Sequence, residues 1–306
     1  MKKIWIDTDI GGDIDDALAI LLSIALKDKI EILGVSTVFE NTIARAKIVK
    51  TLFDFANMKD IKVYAGFQKP YKIKKVFHDK VDENKYPITY IKDVFDKAII
   101  EKEDAIFGLK KALKNNKDVT IITIGALTNI AKLIETNDDC LQNIKEIVIM
   151  GGAINMNLNE FNISCDPDAA KIVLNSNINK KMVSLDVTFR CELTTEQTNK
   201  LFACQSMLVK TVMNMSRMWG HNIFLHDPLA LSEAISNDYV TFVNGKLDVI
   251  TNGRYAKGKL INLCDFNWHH KPLKTLQVSN DVKNKEFCQY YVETILKLDE
   301  KMLQNK

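Results

Sequence analysis

The sequence predicts an α/β fold, a mostly parallel central sheet flanked by helices with a Rossmann-like core, in a single domain spanning residues 1–306. Three observations lead there. Short apolar runs alternate with longer segments of helical periodicity, the pattern of repeated βα units. Only 12 glycines and 5 prolines occur in 306 residues, with no linker, repeat or low-complexity stretch to divide the chain. Polar residues gather just after the predicted strands, where a parallel sheet lines its ligand crevice.

Ile4–Ile6 reads as the first strand, and 15–26 as a helix with an acidic pair in its first turn, where unpaired amides favour negative charge. The run EILGVST, 31–37, is a second strand. Residues 41–56 form a helix with Ile48, Val49, Leu52, Phe53 and Ala56 on one stripe. A short strand is expected at 62–65, and the polar region 67–100 carries no clear period. Strands follow at 119–124, ending at Gly125, and at 146–150, ending at Gly151-Gly152; helices follow at 127–134 and 166–174. A strand at 181–185 precedes one or two helices over 194–218 and a helix over 226–235 that opens with His226-Asp227. Late strands at 246–250 and 274–278 and a helix over 284–303 complete the chain.

Composition narrows the function. A formal charge of +3, with lysines spread along the chain, supplies no field for nucleic acid. The lysines between Lys69 and Lys80 are accounted for by a solvated loop. The six cysteines form no C-x-x-C pair and fit no zinc module, so reduced thiols in a cytoplasmic protein are expected. The start MKKIWIDTD reaches aspartate after three apolar residues, too few for a signal-peptide core, and no run is long enough to span a membrane.

The chemistry concentrates in DTDIGGDIDDALAI, residues 7–20, where Asp7, Asp9, Asp13, Asp15 and Asp16 fall within ten residues between two apolar runs. Such a cluster is unfavourable unless positive charge sits among it. An EF-hand loop counted from Asp7 would need a glutamate where Leu18 stands, and a helix where a strand precedes. A dinucleotide loop lacks G-x-G-x-x-G, and the carboxylates would repel a pyrophosphate. A haloacid dehalogenase-type phosphatase would use Asp7 and Asp9 but leaves Asp13, Asp15 and Asp16 without a task. A hard-cation site for a neutral polyol uses the whole set, because calcium accepts carboxylates, carbonyls, water and hydroxyls together.

At these residues the chain resembles the inosine-uridine nucleoside hydrolase family. Its D-x-D-x-G-x-D-D hallmark reads here Asp7-Thr8-Asp9-Ile10-Gly11-Gly12-Asp13-Ile14-Asp15-Asp16, with two extra residues before the final pair. Val38-Phe39-Glu40-Asn41 is similar to V-x-G-N, with glutamate for glycine. TIGALTNIA (123–131), Met150-Gly151-Gly152, Glu160-Phe161-Asn162, Asp166-Pro167-Asp168-Ala169-Ala170 and His226-Asp227-Pro228 follow in the family's order.

The resemblance implies calcium-dependent hydrolysis of ribonucleosides to ribose and free base. A calcium-bound water would attack directly, with Asp9 as general base and also a metal ligand. Asp16, Asp227 and the carbonyl of Ile124 would complete the metal site. Asp15 and Asn162 would hold the ribose 2′ and 3′ hydroxyls with Asn41 beside them. Glu160 would take the 5′ hydroxyl, helped by Asn155 or Asn157. His226 would protonate the leaving base, its ordinary pKa being near neutrality. His78 would stand on the base side, and Trp219 or Phe224 would stack on the base. The family's habit implies a homodimer or homotetramer. A nucleoside- or ribose-binding protein without turnover is the alternative, against which Asp9 and His226 both speak.

Overall fold

The computed structural model describes residues 1–72, 84–236, 238–263 and 274–304. His78, Cys264, His269 and His270 lie outside them. In chain order the strands are β1 (Lys2–Thr8), β2 (Ile30–Thr37), β3 (Val63–Ala65), β4 (Val119–Thr123), β5 (Ile144–Met150), β6 (Lys180–Val183), β7 (Val240–Gly245), β8 (Leu247–Val249), β9 (Leu260–Asn262) and β10 (Leu276–Val282). The helices are α1 (Asp15–Ala25), α2 (Thr42–Phe55), α3 (Lys92–Phe95), α4 (Ala105–Asn115), α5 (Thr128–Glu135), α6 (Phe161–Cys165), α7 (Pro167–Asn175), α8 (Leu185–Thr188), α9 (Thr195–Phe202), α10 (Met207–Trp219), α11 (His226–Ile235) and α12 (Asn284–Gln304).

Eight strands form one sheet in the order β3-β2-β1-β4-β5-β6-β10-β7, all parallel except β7, which runs antiparallel to β10. The mostly parallel sheet follows from the alternation of apolar runs and helical stripes. The pleat sends alternate residues of β1 to opposite faces: Ile4 and Ile6 join one core, packed by α1, α2, α10, α11 and α12, while Trp5 joins the other, packed by α4, α5 and α7. β1 is thus buried on both faces, as continuous apolar strands of parallel sheets are.

The order reverses between β1 and β4: the chain winds outward through β2 and β3 on one side and through β4, β5 and β6 on the other. At such a switch the loops leaving adjacent strands part and open a crevice. The loop after β1 is the acidic one.

Four features depart from the sequence reading or add to it. Among the described residues, β8 pairs with β9 in a two-stranded ribbon separate from the main sheet. The strand expected over 181–185 stops at Val183, and Leu185 opens α8. The edge strand β7 and the helix α4 were not foreseen. Among the described residues, five cysteines are free and buried, and no helix is long and apolar enough to cross a membrane.

Gly34 on β2 sits opposite Trp5 at a register shift, and a Cβ there would lie 2.5 Å from the indole ring. The ring is fixed, since its Nε1 donates to Ser36 Oγ at 2.8 Å. Gly34→Ala should therefore lower unfolding free energy by about 2 kcal/mol through overpacking, read from urea denaturation.

Candidate active site

The loops after β1, β2, β4 and β5 and the start of α11 enclose a cavity of about 500 Å³ at the carboxyl ends of the strands. Asp9, Asp13, Asp15 and Asp16 line it from the first loop. Phe39, Glu40 and Arg45 come from the second, Ile124 from the third, and Met150 with 158–162 from the fourth. Leu185, Trp219, His226, Asp227 and the 85–88 segment close it.

Asp15 and Asp16 stand in the first turn of α1 and Asp227 in the first turn of α11, and these two helices pack together. One oxygen from each of the three buried carboxylates lies within 4.8 Å of the others. The Thr8 hydroxyl donates to Asp16, and the Asp16 amide donates to Asp15 Oδ1 at 3.1 Å. Asp227 Oδ1 is buried with no hydrogen-bond partner among the described residues. Burial first, then mutual repulsion, raises the pKa of all three well above the ordinary carboxylate range. A buried orphan oxygen in an all-oxygen donor set fits a hard cation such as calcium and suits no soft metal.

Asp9 lies in the same cavity but outside that triad. Burial raises its pKa to about 6, against the lowering effect of the Arg45 guanidinium. A Cβ at Gly125 would come within 2.9 Å of both Asp9 N and Asp9 Oδ1, so only glycine lets β4 approach the acid this closely. Ile124 lines the cavity, and its carbonyl accepts from Asn162 Nδ2 at 3.3 Å. Asp9 and Asp15 thus share one cavity, with Asp15 beside Asp16 and Asp227.

Glu160 caps α6. Its carboxylate accepts from the amides of Gly152 and Asn162, both at 2.8 Å, and of Ile163 at 3.0 Å, which holds a buried charge in one orientation. Asn162, in the first turn, reaches the Met150 carbonyl at 3.2 Å and borders the cavity.

Three polar expectations move. Asn41 does not line the cavity; its side chain caps α2 by accepting from the Ala44 amide at 3.0 Å. Asn155 and Asn157 are exposed and also outside the lining: the Asn155 amide donates to Asp186, and Asn157 Oδ1 accepts from Lys259 Nζ at 2.7 Å. The loop after Gly152 is too short to bring either back. Asn159, next to Glu160, lines the cavity instead, its amide nitrogen donating to the carbonyls of Tyr255 and Lys257 at 3.0 and 3.1 Å.

His226 and Trp219 both line the cavity, and Phe224 does not. Phe224 packs against both His226 and Phe189, with ring centroids 5.5 and 4.8 Å away, and those two rings are themselves 6.3 Å apart. Burial pushes the His226 pKa down to about 4, below the near-neutral value of an unperturbed imidazole. Its Nδ1 lies 2.8 Å from the Thr188 hydroxyl. Sequence reasoning missed Arg45 and Glu40 as site residues, along with the apolar wall of Pro87, Ile88 and Phe161.

Residues 4–289 match the family model for inosine-uridine preferring nucleoside hydrolases. The chain is 30% identical over 276 residues to uridine nucleosidase 1 of Arabidopsis thaliana, covering 82% of this chain and 79% of that protein. It is 27% identical over 301 residues to a pyrimidine-specific ribonucleoside hydrolase of Escherichia coli, covering 91% and 94%. The purine-preferring ribonucleoside hydrolase from Gardnerella vaginalis superposes with a TM-score of 0.83 at 26% identity, over 97% of this chain and 99% of that one. This chain belongs to the inosine-uridine preferring nucleoside hydrolase family, and it is accordingly an N-glycosyl hydrolase.

The raised carboxyl pKa values make a stability prediction. A carboxyl still protonated in the fold but ionised in the unfolded chain stabilises the fold at low pH, and that contribution disappears as pH rises through the folded value. Above pH about 6.5, the ordinary value for histidine, His226 is neutral in the fold and at most half protonated in the unfolded chain, so it opposes the trend by no more than about 0.4 kcal/mol. The metal-free protein should therefore melt at lower temperature at pH about 8 than at pH about 6.5. Asp227→Asn should flatten that slope and raise the melting temperature at the higher pH. A melting temperature that stays level or climbs over this range contradicts the assignment.

Proposed function

We propose that this chain hydrolyses the N-glycosidic bond of ribonucleosides with a calcium ion held by Asp15, Asp16 and Asp227. The observation that carries the metal is the triad of buried carboxylates with an orphan oxygen on Asp227. Calcium, when bound, supplies positive charge and open coordination positions for oxygen ligands such as the two hydroxyls of a ribose diol.

The chain's own residues do the rest. Asp9, with a pKa raised to about 6, is suited to take a proton from the attacking water near neutral pH. Asp15, Asn162 and Asn159 offer polar groups to the sugar hydroxyls, and Glu160 offers a carboxylate fixed by three amides. The surrounding carboxylates favour positive charge at the anomeric carbon in an oxocarbenium-like transition state. Water adds to that carbon as its bond to the base nitrogen breaks, the bonding pair leaves with the base, and the configuration inverts. The wall of Trp219, Tyr86, Pro87 and Ile88 gives the base an apolar seat.

His226 enters as a neutral donor. The tautomer in which Nδ1 accepts from the Thr188 hydroxyl would carry the ring proton on Nε2, and a pKa of about 4 keeps the ring uncharged at pH 7. It therefore assists the leaving base by a hydrogen bond, a smaller effect than transfer from an imidazolium.

Ribose release from inosine, adenosine, guanosine, uridine and cytidine, with calcium and after chelation, tests the reaction. Calcium-dependent release from at least one is expected, and none from folded protein contradicts the reading. Asp9→Asn should lose turnover by about 1,000-fold with the fold and calcium binding retained. His226→Gln should slow natural nucleosides by about 100-fold yet leave 4-nitrophenyl riboside nearly unaffected, because nitrophenolate needs no proton to depart. Equal losses on both substrates would remove His226 from leaving-group assistance.

A further inference from the structure

We infer that Arg45 is a positioning residue for Asp9, locking the acidic loop to the turn after β2 through a fork of main-chain hydrogen bonds; this rests on the hydrolase reading above.

Arg45 sits on the first turns of α2, and its amide donates to the Asn41 carbonyl at 3.1 Å. It is 4% exposed and borders the cavity. Its guanidinium spends its donors on carbonyls that would otherwise be buried with few partners. Nη1 donates to the carbonyl of Asp9 and, at 2.8 Å, to that of Ile10, and Nε donates to the Phe39 carbonyl at 2.8 Å. Nη2 stands 3.7 Å from the Glu40 carboxylate. One side chain thus ties the loop carrying Asp9 to the turn carrying Phe39 and Glu40.

Both ends of this tie need holding. The acidic loop leaves β1 with two residues more than the family's motif before reaching α1, and Ile14 ends it without a side-chain cap. The turn places Phe39 and Glu40 at φ of 70° and 55°, left-handed backbone that side chains other than glycine rarely adopt. Glutamate at 40, where the related motif has glycine, gives Arg45 its ionic partner. Asp9 is then bounded on two sides: Gly125 lies against its carboxylate and amide, and Arg45 holds its carbonyl.

Arginine is required for the geometry of its fork. A lysine offers the charge from a single nitrogen and cannot bridge the Asp9, Ile10 and Phe39 carbonyls together with Glu40. A general base displaced by about 1 Å forfeits about 100-fold in rate while substrate still binds.

The experiment is steady-state ribose release by full-length Arg45→Met, Arg45→Lys and Glu40→Gln, with calcium affinity and melting temperature measured on each. The expected result is a fall in kcat of about 100-fold for both Arg45 variants, with KM and calcium affinity within about threefold of the unsubstituted chain. Glu40→Gln keeps the carbonyl acceptors and should lose only about fivefold in kcat; it carries the test should the Arg45 variants not fold. Rescue by Arg45→Lys would make the role one of charge alone and overturn the proposal. So would parallel losses of kcat, KM and calcium affinity, which mark a scaffold residue, or unchanged kcat in Glu40→Gln with Arg45 variants that do not fold. An unsubstituted chain that releases no ribose fails separately, at the hydrolase reading, and takes the proposal with it.

Discussion

Repulsion among buried carboxylates governs the active end of this molecule. Asp9, Asp15, Asp16 and Asp227 are all at most 7% exposed and face one cavity. Two full charges about 4 Å apart interact by about 4 kcal/mol at protein-like screening, so the set cannot all ionise without a counter-charge. Among the described residues two cationic side chains line the cavity, Lys85 and the buried Arg45, and the donors of Arg45 are directed to main-chain carbonyls and Glu40. A residual demand for positive charge remains, centred where Asp15, Asp16 and Asp227 meet. The same demand links metal, protons and stability in one equilibrium, since whatever relieves the repulsion also stabilises the fold.

The fold sets up this arrangement by topology. The sheet reverses order between β1 and β4, so the acidic loop and the Ile124-Gly125 turn part around a common crevice. Helix N-termini then deliver the remaining groups: Asp15 and Asp16 on α1, Asp227 on α11, Glu160 as the cap of α6. Unpaired amides at these ends offset part of the charge, most visibly at Glu160. Beneath the cavity, Asp7 is buried and pushed up to about 7 by burial, with Ser36 and Asn129 donating to it. It couples β1, β2 and α5 under the loop that carries the chemistry.

Much of this was legible in the sequence wherever the signal was local. Apolar alternation marked β1, β2, β4 and β5, and the stripe from Ile48 to Ala56 marked α2. The acidic run could be identified because its charges adjoin in sequence. What escaped depended on distant contacts or on the backbone. The edge strand β7 buries only Val240 and Gly245, so it offers no apolar run. In α4 the buried positions include Ala105 and Gly108, which carry little hydrophobic signal. Arg45 was passed over because its partners are carbonyls, which have no letter in the sequence. The lowered pKa of His226 comes from burial, which depends on elements distant in the chain. Asn159 was passed over for Asn155 and Asn157 because the path of the short loop after Gly152 cannot be counted from spacing.

The central claim is that the cavity's carboxylates form a cation site poised by their own repulsion. Calorimetric titration of calcium into chelated protein, repeated in buffers of different ionisation enthalpy, tests it most directly. The account predicts one ion per chain and release of protons on binding near pH 7, because groups with raised pKa values must ionise to ligate. Absence of binding, or binding with no proton released, would contradict it.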